Sequence, residues 1–295
     1  MDPILSKISE HGEWEIPRHE IEIRHKIGDG SFGVVHEAIW RKTPIAVKVL
    51  SVEKSVDMTE FRTEFEALTK LHHPNILQLF GACTIEKPYY IAIELMASNV
   101  STCKPHNTTK HRAIDIGIDV VRGLAYLHNR TPKCVIHRDL KPTNLLLTQS
   151  GRVKIADFGI SCFQADSKEI YKMTGETGTY RYMAPEVIKT ERYGTAVDIY
   201  SFGMIMFGLV EDLPFKGMTE REIITDVVKK NIRPTFIKLE DMRADNCNIR
   251  ILINDCWFLQ ANSRPLAIEL VDRLLDMRLR LSNDQSTTTR CCGIQ

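Results

Sequence analysis

The sequence predicts an α+β fold in two lobes: a small β-rich N-terminal lobe with one key helix, then a larger, mainly helical C-terminal lobe. Three observations predict it. Residues 20–50 contain strand-like runs on either side of a glycine-rich turn. Residues 58–72 switch to helical spacing, with Phe61, Phe65, Leu68 and Leu71 on one stripe. Beyond residue 110 helical periods dominate, with only short strand signals between them.

In chain order, Ile21 and Ile23 alternate with charges, and Ile45-Ala46-Val47-Lys48-Val49-Leu50 is a β-rich run. Period 2 puts Ala46, Lys48 and Leu50 on one face. On the following helix Glu64 lies one turn from both Phe61 and Leu68, so its carboxylate leans toward the buried side. Strand-rich patches at 76–83 and 89–96 lead to a hinge at 94–97. Ile114, Ile118, Val121 and Ala125 define an amphipathic helix ending near His128. Short strands are expected to flank 134–156, and helices to form around 196–210, 219–230, 247–258 and 264–280. The apolar stretch 196–210 is too short to span a bilayer and carries Asp198, so it reads as a buried core helix. Residues 1–18 and 282–295 read as tails.

Composition excludes several classes. With 295 residues, 43% hydrophobic and 26% charged, the chain is neither disordered nor a disulfide-stapled miniprotein. Size scaling allows roughly three quarters of its extended surface to be buried, as an upper bound. Thirty-nine basic residues against 38 acidic ones, with no basic block, argue against a nucleic-acid partner. The eight cysteines form no C-x-x-C pair and no zinc spacing, which implies reduced thiols and a cytoplasmic setting. The start has no charged leader followed by an apolar stretch. Sequons at Asn99, Asn107 and Asn129 read as chance.

Gly28-Asp29-Gly30-Ser31-Phe32-Gly33-Val34-Val35 is a G-x-G-x-x-G-x-V loop. Glycines let the backbone approach an anion and offer it N–H groups. A dinucleotide fold would place a helix directly after such a loop. Here a strand ending in Lys48 follows, which favours a lid over phosphate; a plain hairpin is the alternative. Lys48 in an apolar strand needs a partner, and Glu64 is the candidate; a surface lysine and a solvated glutamate are the plainer reading.

Three further motifs decide the matter: His137-Arg138-Asp139-Leu140-Lys141-Pro142-Thr143-Asn144, then Asp157-Phe158-Gly159, then Gly178-Thr179-Tyr180-Arg181-Tyr182-Met183-Ala184-Pro185-Glu186. The set resembles the eukaryotic protein kinase family over nearly the whole chain. The resemblance implies a bilobal catalytic domain at 20–281, with an N-lobe at about 20–94 and a C-lobe at about 97–281, an N-terminal extension at 1–19 and a tail at 282–295. It implies ATP and Mg²⁺ as cofactors and proteins, including other kinases, as substrates. Ile27 would contact the nucleotide, Gly28, Asp29, Gly30, Ser31, Phe32 and Gly33 would cover the phosphates, and Val35, Ala46 and Leu146 the adenine. Lys48 would hold the α- and β-phosphates, aligned by Glu64. Ile93 matches the gatekeeper, and backbone groups at Glu94 and Met96 would meet adenine. Asp139 matches the catalytic base, Lys141 the γ-phosphate lysine, and Asn144 and Asp157 the Mg²⁺ ligands. His137, Phe158, Leu68 and Leu79 match a packed apolar spine, Asp198 an anchor of the catalytic loop, and Glu186 the partner of Arg264.

Lys141 and Thr179 resemble serine/threonine rather than tyrosine kinases. Trp14-Glu15-Ile16-Pro17, the 174–187 segment and Cys256-Trp257 resemble the tyrosine-kinase-like group, with Raf-like and mixed-lineage kinases as relatives. A dual-specificity kinase and a pseudokinase-type scaffold are the alternatives. Cys256 reads as a packed helix residue. Arg138 is expected to pair with an activation-segment phosphate, on Thr174 or Thr177 ahead of Ser167 and Tyr171. The polar stretch 97–111 departs from the family pattern. The final Cys292-Gly293-Ile294-Gln295 fits a loose prenylation motif, so membrane association is expected only if Cys292 is lipidated. Oligomeric state is not legible.

Overall fold

A computed structural model describes residues 14–30, 33–50, 55–103, 107–164, 179–239 and 244–291. The chain falls into two compact units: Met1–Ser98 with Leu146–Ser161, and Asn99–Leu145 with Cys162–Gln295.

The first unit is built on an antiparallel sheet ordered β1 (Ile21–Gly30), β2 (Gly33–Trp40), β3 (Thr43–Leu50), β5 (Tyr90–Glu94), β4 (Leu79–Cys83). The turn from β2 to β3 places Arg41 and Lys42 at φ 47° and 67°, the paired left-handed residues of a tight hairpin. Ile45 and Val47 join Ile16, Ile21, Ala38, Cys83, Tyr90 and Ala92 in one buried cluster. The opposite face carries Ala46, Lys48 and Leu50, as the period of 2 requires. Helix α1 (Ser55–Lys70) buries Phe61, Phe65 and Leu68. The expected strand from 76 begins only at Leu79; Ile76 instead bridges Ile155 of β7 (Val153–Ile155).

Residues 14–16 correct the expected tail. Ile16 N–H donates to the Ala82 carbonyl and Ala82 N–H to that of Trp14, both at 2.8 Å, so this segment covers the edge of β4. The Glu15 carboxylate accepts from the Thr84 N–H and hydroxyl. Gly81 makes the approach feasible: a Cβ there would lie 2.6 Å from the Trp14 carbonyl oxygen. A three-residue bridge carries no periodicity to read, which is why it passed for a tail.

The second unit is mainly helical. Asn99 caps a single turn at Val100–Thr102 within the divergent 97–111 stretch. Helix α2 (Lys110–His128) starts at Thr109, whose side chain accepts from the Arg112 N–H. It packs with α4 (Ala196–Val210), which is buried nearly throughout. Two glycines set the spacing around α4. A Cβ on Gly117 would meet the Met206 sulfur at 2.9 Å, and one on Gly203 would meet Cβ of Cys256 at 2.7 Å. Cys256, on α6 (Ala244–Cys256), is fully buried and its thiol is pushed well up by that burial, as a packed residue should be. Helix α7 (Ala267–Cys291) packs on α2 through Arg278–Asp115 at 2.7 Å and continues past the expected boundary at 281. Strands β6 (Cys134–Ile136) and β8 (Cys162–Gln164) pair antiparallel, a ladder too short to announce itself in sequence. Between α4 and α7 lie α5 (Glu220–Lys229) and α6; α3 (Pro185–Ile188) precedes α4. Among the described residues no helix is long and apolar enough to cross a membrane.

Candidate functional site

In the first unit, strand register assembles the expected nucleotide residues. Val35 pairs with Lys48, and Lys48 with Ile91; Ala46 pairs with Ile93. Directly opposed residues share a sheet face, so Val35, Ala46, Lys48 and Ile93 line one surface. Lys48 is 4% exposed and its Nζ lies 2.6 Å from Glu64 Oε2 and 3.6 Å from Asp157 Oδ1. Asp157 holds a left-handed φ of 66°. Glu64 is 2% exposed, on the inward stripe that its spacing predicted.

Burial pushes the Glu64 carboxyl up to about 7, with Lys48 pulling it back down. For Lys48, burial opposes the charge, but Asp157 and Glu64 outweigh it and hold the ammonium above its ordinary value. The folded Glu64 therefore binds a proton between pH 4.5 and 7 that the unfolded chain has released. Its own contribution to stability declines as pH rises through that window, while its grip on Lys48 strengthens. The expected consequence is a kcat/KM for ATP that rises with pH toward 7, and a Glu64→Gln variant lacking that rise. The ratio of the two pH profiles cancels titration of the nucleotide; a flat ratio counts against an alignment role for Glu64.

The glycine loop spans the β1–β2 hairpin, where Gly30 pairs with Gly33; Ser31 and Phe32 lie outside the described residues. A Cβ on Gly33 would lie 1.8 Å from the Val49 carbonyl oxygen, and one on Gly30 would lie 2.6 Å from Cε of Lys48. Gly33→Ala is expected to cost about 1–3 kcal/mol through forced backbone displacement, read as a lower midpoint in chemical denaturation. Ile27 is 43% exposed; Leu146 and Met96 are half-buried. At the hinge the Glu94 backbone N–H is taken by the Gln78 carbonyl at 3.1 Å. The Glu94 carboxylate accepts from Lys154 at 2.6 Å and the Gln78 N–H at 2.8 Å.

In the second unit, the catalytic-loop residues converge. Asp139 Oδ2 lies 2.8 Å from Lys141 Nζ and accepts from Asn144 Nδ2 at 3.0 Å; that amide also donates to the Asp139 carbonyl. Both of these bonds use the amide nitrogen of Asn144. Beneath the loop, Asp198 is fully buried. It accepts from the backbone N–H groups of His137 and Arg138, each at 2.9 Å, and pairs with His128 Nε2 at 2.9 Å. Burial alone would raise its pKa, but the His128 bond leads the opposing effects and holds the carboxyl below its usual value. Arg138 sits at φ 70°, a strained setting for a side-chain-bearing residue. Its guanidinium donates to the Tyr193 hydroxyl at 3.2 Å. His137 is fully buried and accepts from the Asp139 N–H, so it packs and shapes the loop. Arg264 forks onto Glu186 at 2.5 and 2.9 Å, the pairing the resemblance implied.

Sequence reasoning missed His128, Tyr193 and Lys154. A histidine in the last turn of an amphipathic helix was the one available signal for His128; nothing local marks the other two. Thr174, Thr177, Ser167, Tyr171 and Cys292 lie outside the described residues.

Comparison with known proteins agrees with this arrangement. The family profile described as "Protein kinase domain" matches residues 21–281. The chain is 38% identical to serine/threonine-protein kinase VIK of Arabidopsis thaliana over 96% of its length and 66% of the relative's. It is 32% identical to serine/threonine/tyrosine-protein kinase HT1 of the same plant, covering 95% and 73%. Human tyrosine-protein kinase FRK is 31% identical, covering 86% and 50%. The chain thus spans half to three quarters of the length of these relatives.

Proposed function

The chain belongs to the protein kinase family, in its tyrosine-kinase-like group, and from that premise we propose that it transfers the γ-phosphoryl group of ATP to serine and threonine hydroxyls of proteins. The observation that carries the reading is Lys48, buried and held by Glu64 and Asp157. A buried ammonium kept charged on a glycine-lined face suits the α- and β-phosphates.

Asp139 is the base: its carboxylate accepts the proton of the substrate hydroxyl as that oxygen becomes the nucleophile. Lys141, beside it, steadies developing negative charge. The Asp157 carboxylate and the Asn144 amide oxygen are hard donors that fit Mg²⁺. Mg²⁺ when bound neutralises phosphate charge. Val35, Ala46 and Leu146 offer apolar surface to adenine, beside the gatekeeper Ile93 and the backbone of Glu94 and Met96. Reduced thiols and cytoplasmic residence fit the free cysteines. A lipidated Cys292 would add membrane association.

Radiolabelled ATP with dephosphorylated casein tests this, followed by hydrolysis to phosphoamino acids. Label on serine and threonine, lost in Lys48→Met and Asp157→Asn, is the expected result. Label on tyrosine as well would favour dual specificity, which the name of the relative HT1 gives for that protein. Failure of transfer even after treatment with an upstream kinase would leave the scaffold reading.

A further inference from the structure

We propose that Lys154 sets the adenine selectivity of the nucleotide site, as a positioning residue that acts through Glu94; this rests on the protein-kinase reading above and deepens it. Lys154 lies at the centre of β7, and its Nζ is 2.6 Å from Glu94 Oε1. The two side chains are only 14% and 20% exposed. The same carboxylate oxygen accepts from the Gln78 N–H at 2.8 Å, and the Glu94 N–H donates to the Gln78 carbonyl at 3.1 Å. Glu94 is thereby held through its backbone and its side chain at once.

Strand β7 is a firm base for this contact. On either side of Lys154, Val153 and Ile155 are buried. The Val153 carbonyl accepts from the Asn75 side-chain amide, the Ile155 N–H donates to the Asn75 carbonyl, and the Ile155 carbonyl accepts from the Leu77 N–H, each at 2.9 Å. These bonds fix the strand without the Lys154 side chain, so its removal should not move β7. Three residues beyond Glu94, the Ala97 N–H donates to the Leu147 carbonyl at 2.8 Å. The segment 94–97 is therefore tied at both ends, and Met96 lies between the ties.

In the function proposed above, backbone groups of Glu94 and Met96 meet the edge of adenine. Such bonds are directional and weaken steeply when misaligned. Adenine carries an amino donor where guanine carries a carbonyl acceptor. Firmly held backbone groups therefore tell the two bases apart, and loosely held ones do not. At this low exposure the Lys154–Glu94 pair is screened less than a surface pair. Without Lys154 the carboxylate is left with the Gln78 N–H, and the segment loses one of its restraints. The bonds named here do not involve Lys48, Glu64 or Asp157. Loss of Lys154 should therefore weaken the grip on adenine and leave the phosphate contacts and the transfer step alone.

The test is steady-state kinetics with dephosphorylated casein, varying ATP alone and then against GTP as competitor, for wild type, Lys154→Met and Lys154→Arg. In Lys154→Met the KM for ATP should rise about tenfold, the scale of one well-placed hydrogen bond, while kcat and the inhibition constant for GTP stay within twofold. Lys154→Arg retains the ion pair and should retain the wild-type KM. Lys154→Gln carries the test if the methionine variant folds poorly. An unchanged KM for ATP, a parallel rise in the GTP constant, or an arginine variant as impaired as the methionine one would overturn the proposal. Partial misfolding cannot imitate the expected result, because it lowers the active fraction, and with it kcat, without moving KM. Absence of casein labelling by the wild type would instead overturn the kinase reading on which the proposal rests.

Discussion

Asp139→Asn should lower kcat by a factor of about 10² to 10⁴, the span of a lost general base, with little change in the KM for ATP. The substitution keeps the shape of the side chain and removes only its basicity. Asp139 is held by Lys141 at 2.8 Å and Asn144 at 3.0 Å, so an amide in its place still meets Asn144 while losing the ion pair with Lys141. The fold should survive, because this carboxylate shapes a loop rather than a core. Casein phosphorylation and thermal denaturation, measured on the same preparation, separate the two effects. A variant within tenfold of wild-type kcat would remove Asp139 from the role of base.

The second large effect falls on stability. Asp198→Asn should cost about 3 kcal/mol, the scale for breaking a buried charged network, and lower the thermal midpoint by about 5–10 °C. The carboxylate accepts from two backbone N–H groups and pairs with His128. An asparagine oxygen can take the place of only one of its two oxygens, so an N–H of His137 or Arg138 is left facing another donor. Arg138, strained at φ 70°, then loses a restraint, and Asp139 moves with it. Activity should fall in parallel. The pH dependence has a definite sign. The folded Asp198 carboxyl lies below its ordinary value of 3.8, so its stabilisation is complete above about pH 4 and lost as pH falls lower. The difference between wild type and variant should shrink in acid. Equal midpoints at pH 7 would show that Asp198 does not hold the loop.

Much of this was legible in the chain. The spacing around Glu64 put its carboxylate on the buried stripe, and the alternation around Lys48 put the ammonium on the face shared with Ala46. Their ion pair follows from those two local facts. The catalytic cluster is similarly local: Asp139, Lys141 and Asn144 lie within six residues, so a short loop suffices to bring them together. Residue types and periodicity decide which side of an element a group occupies, and that is a property of a few consecutive residues. Long-range partnership is different. His128 meets Asp198 across 70 residues, Trp14 and Ile16 bridge Ala82, and Arg181 reaches Met218. Each depends on where helices cross and strands dock, which is set by packing of the whole unit. Local spacing determined the elements and the chemistry they carry; only tertiary packing decided which distant groups hold that chemistry in place, because their proximity arises from the folded core and not from the chain between them.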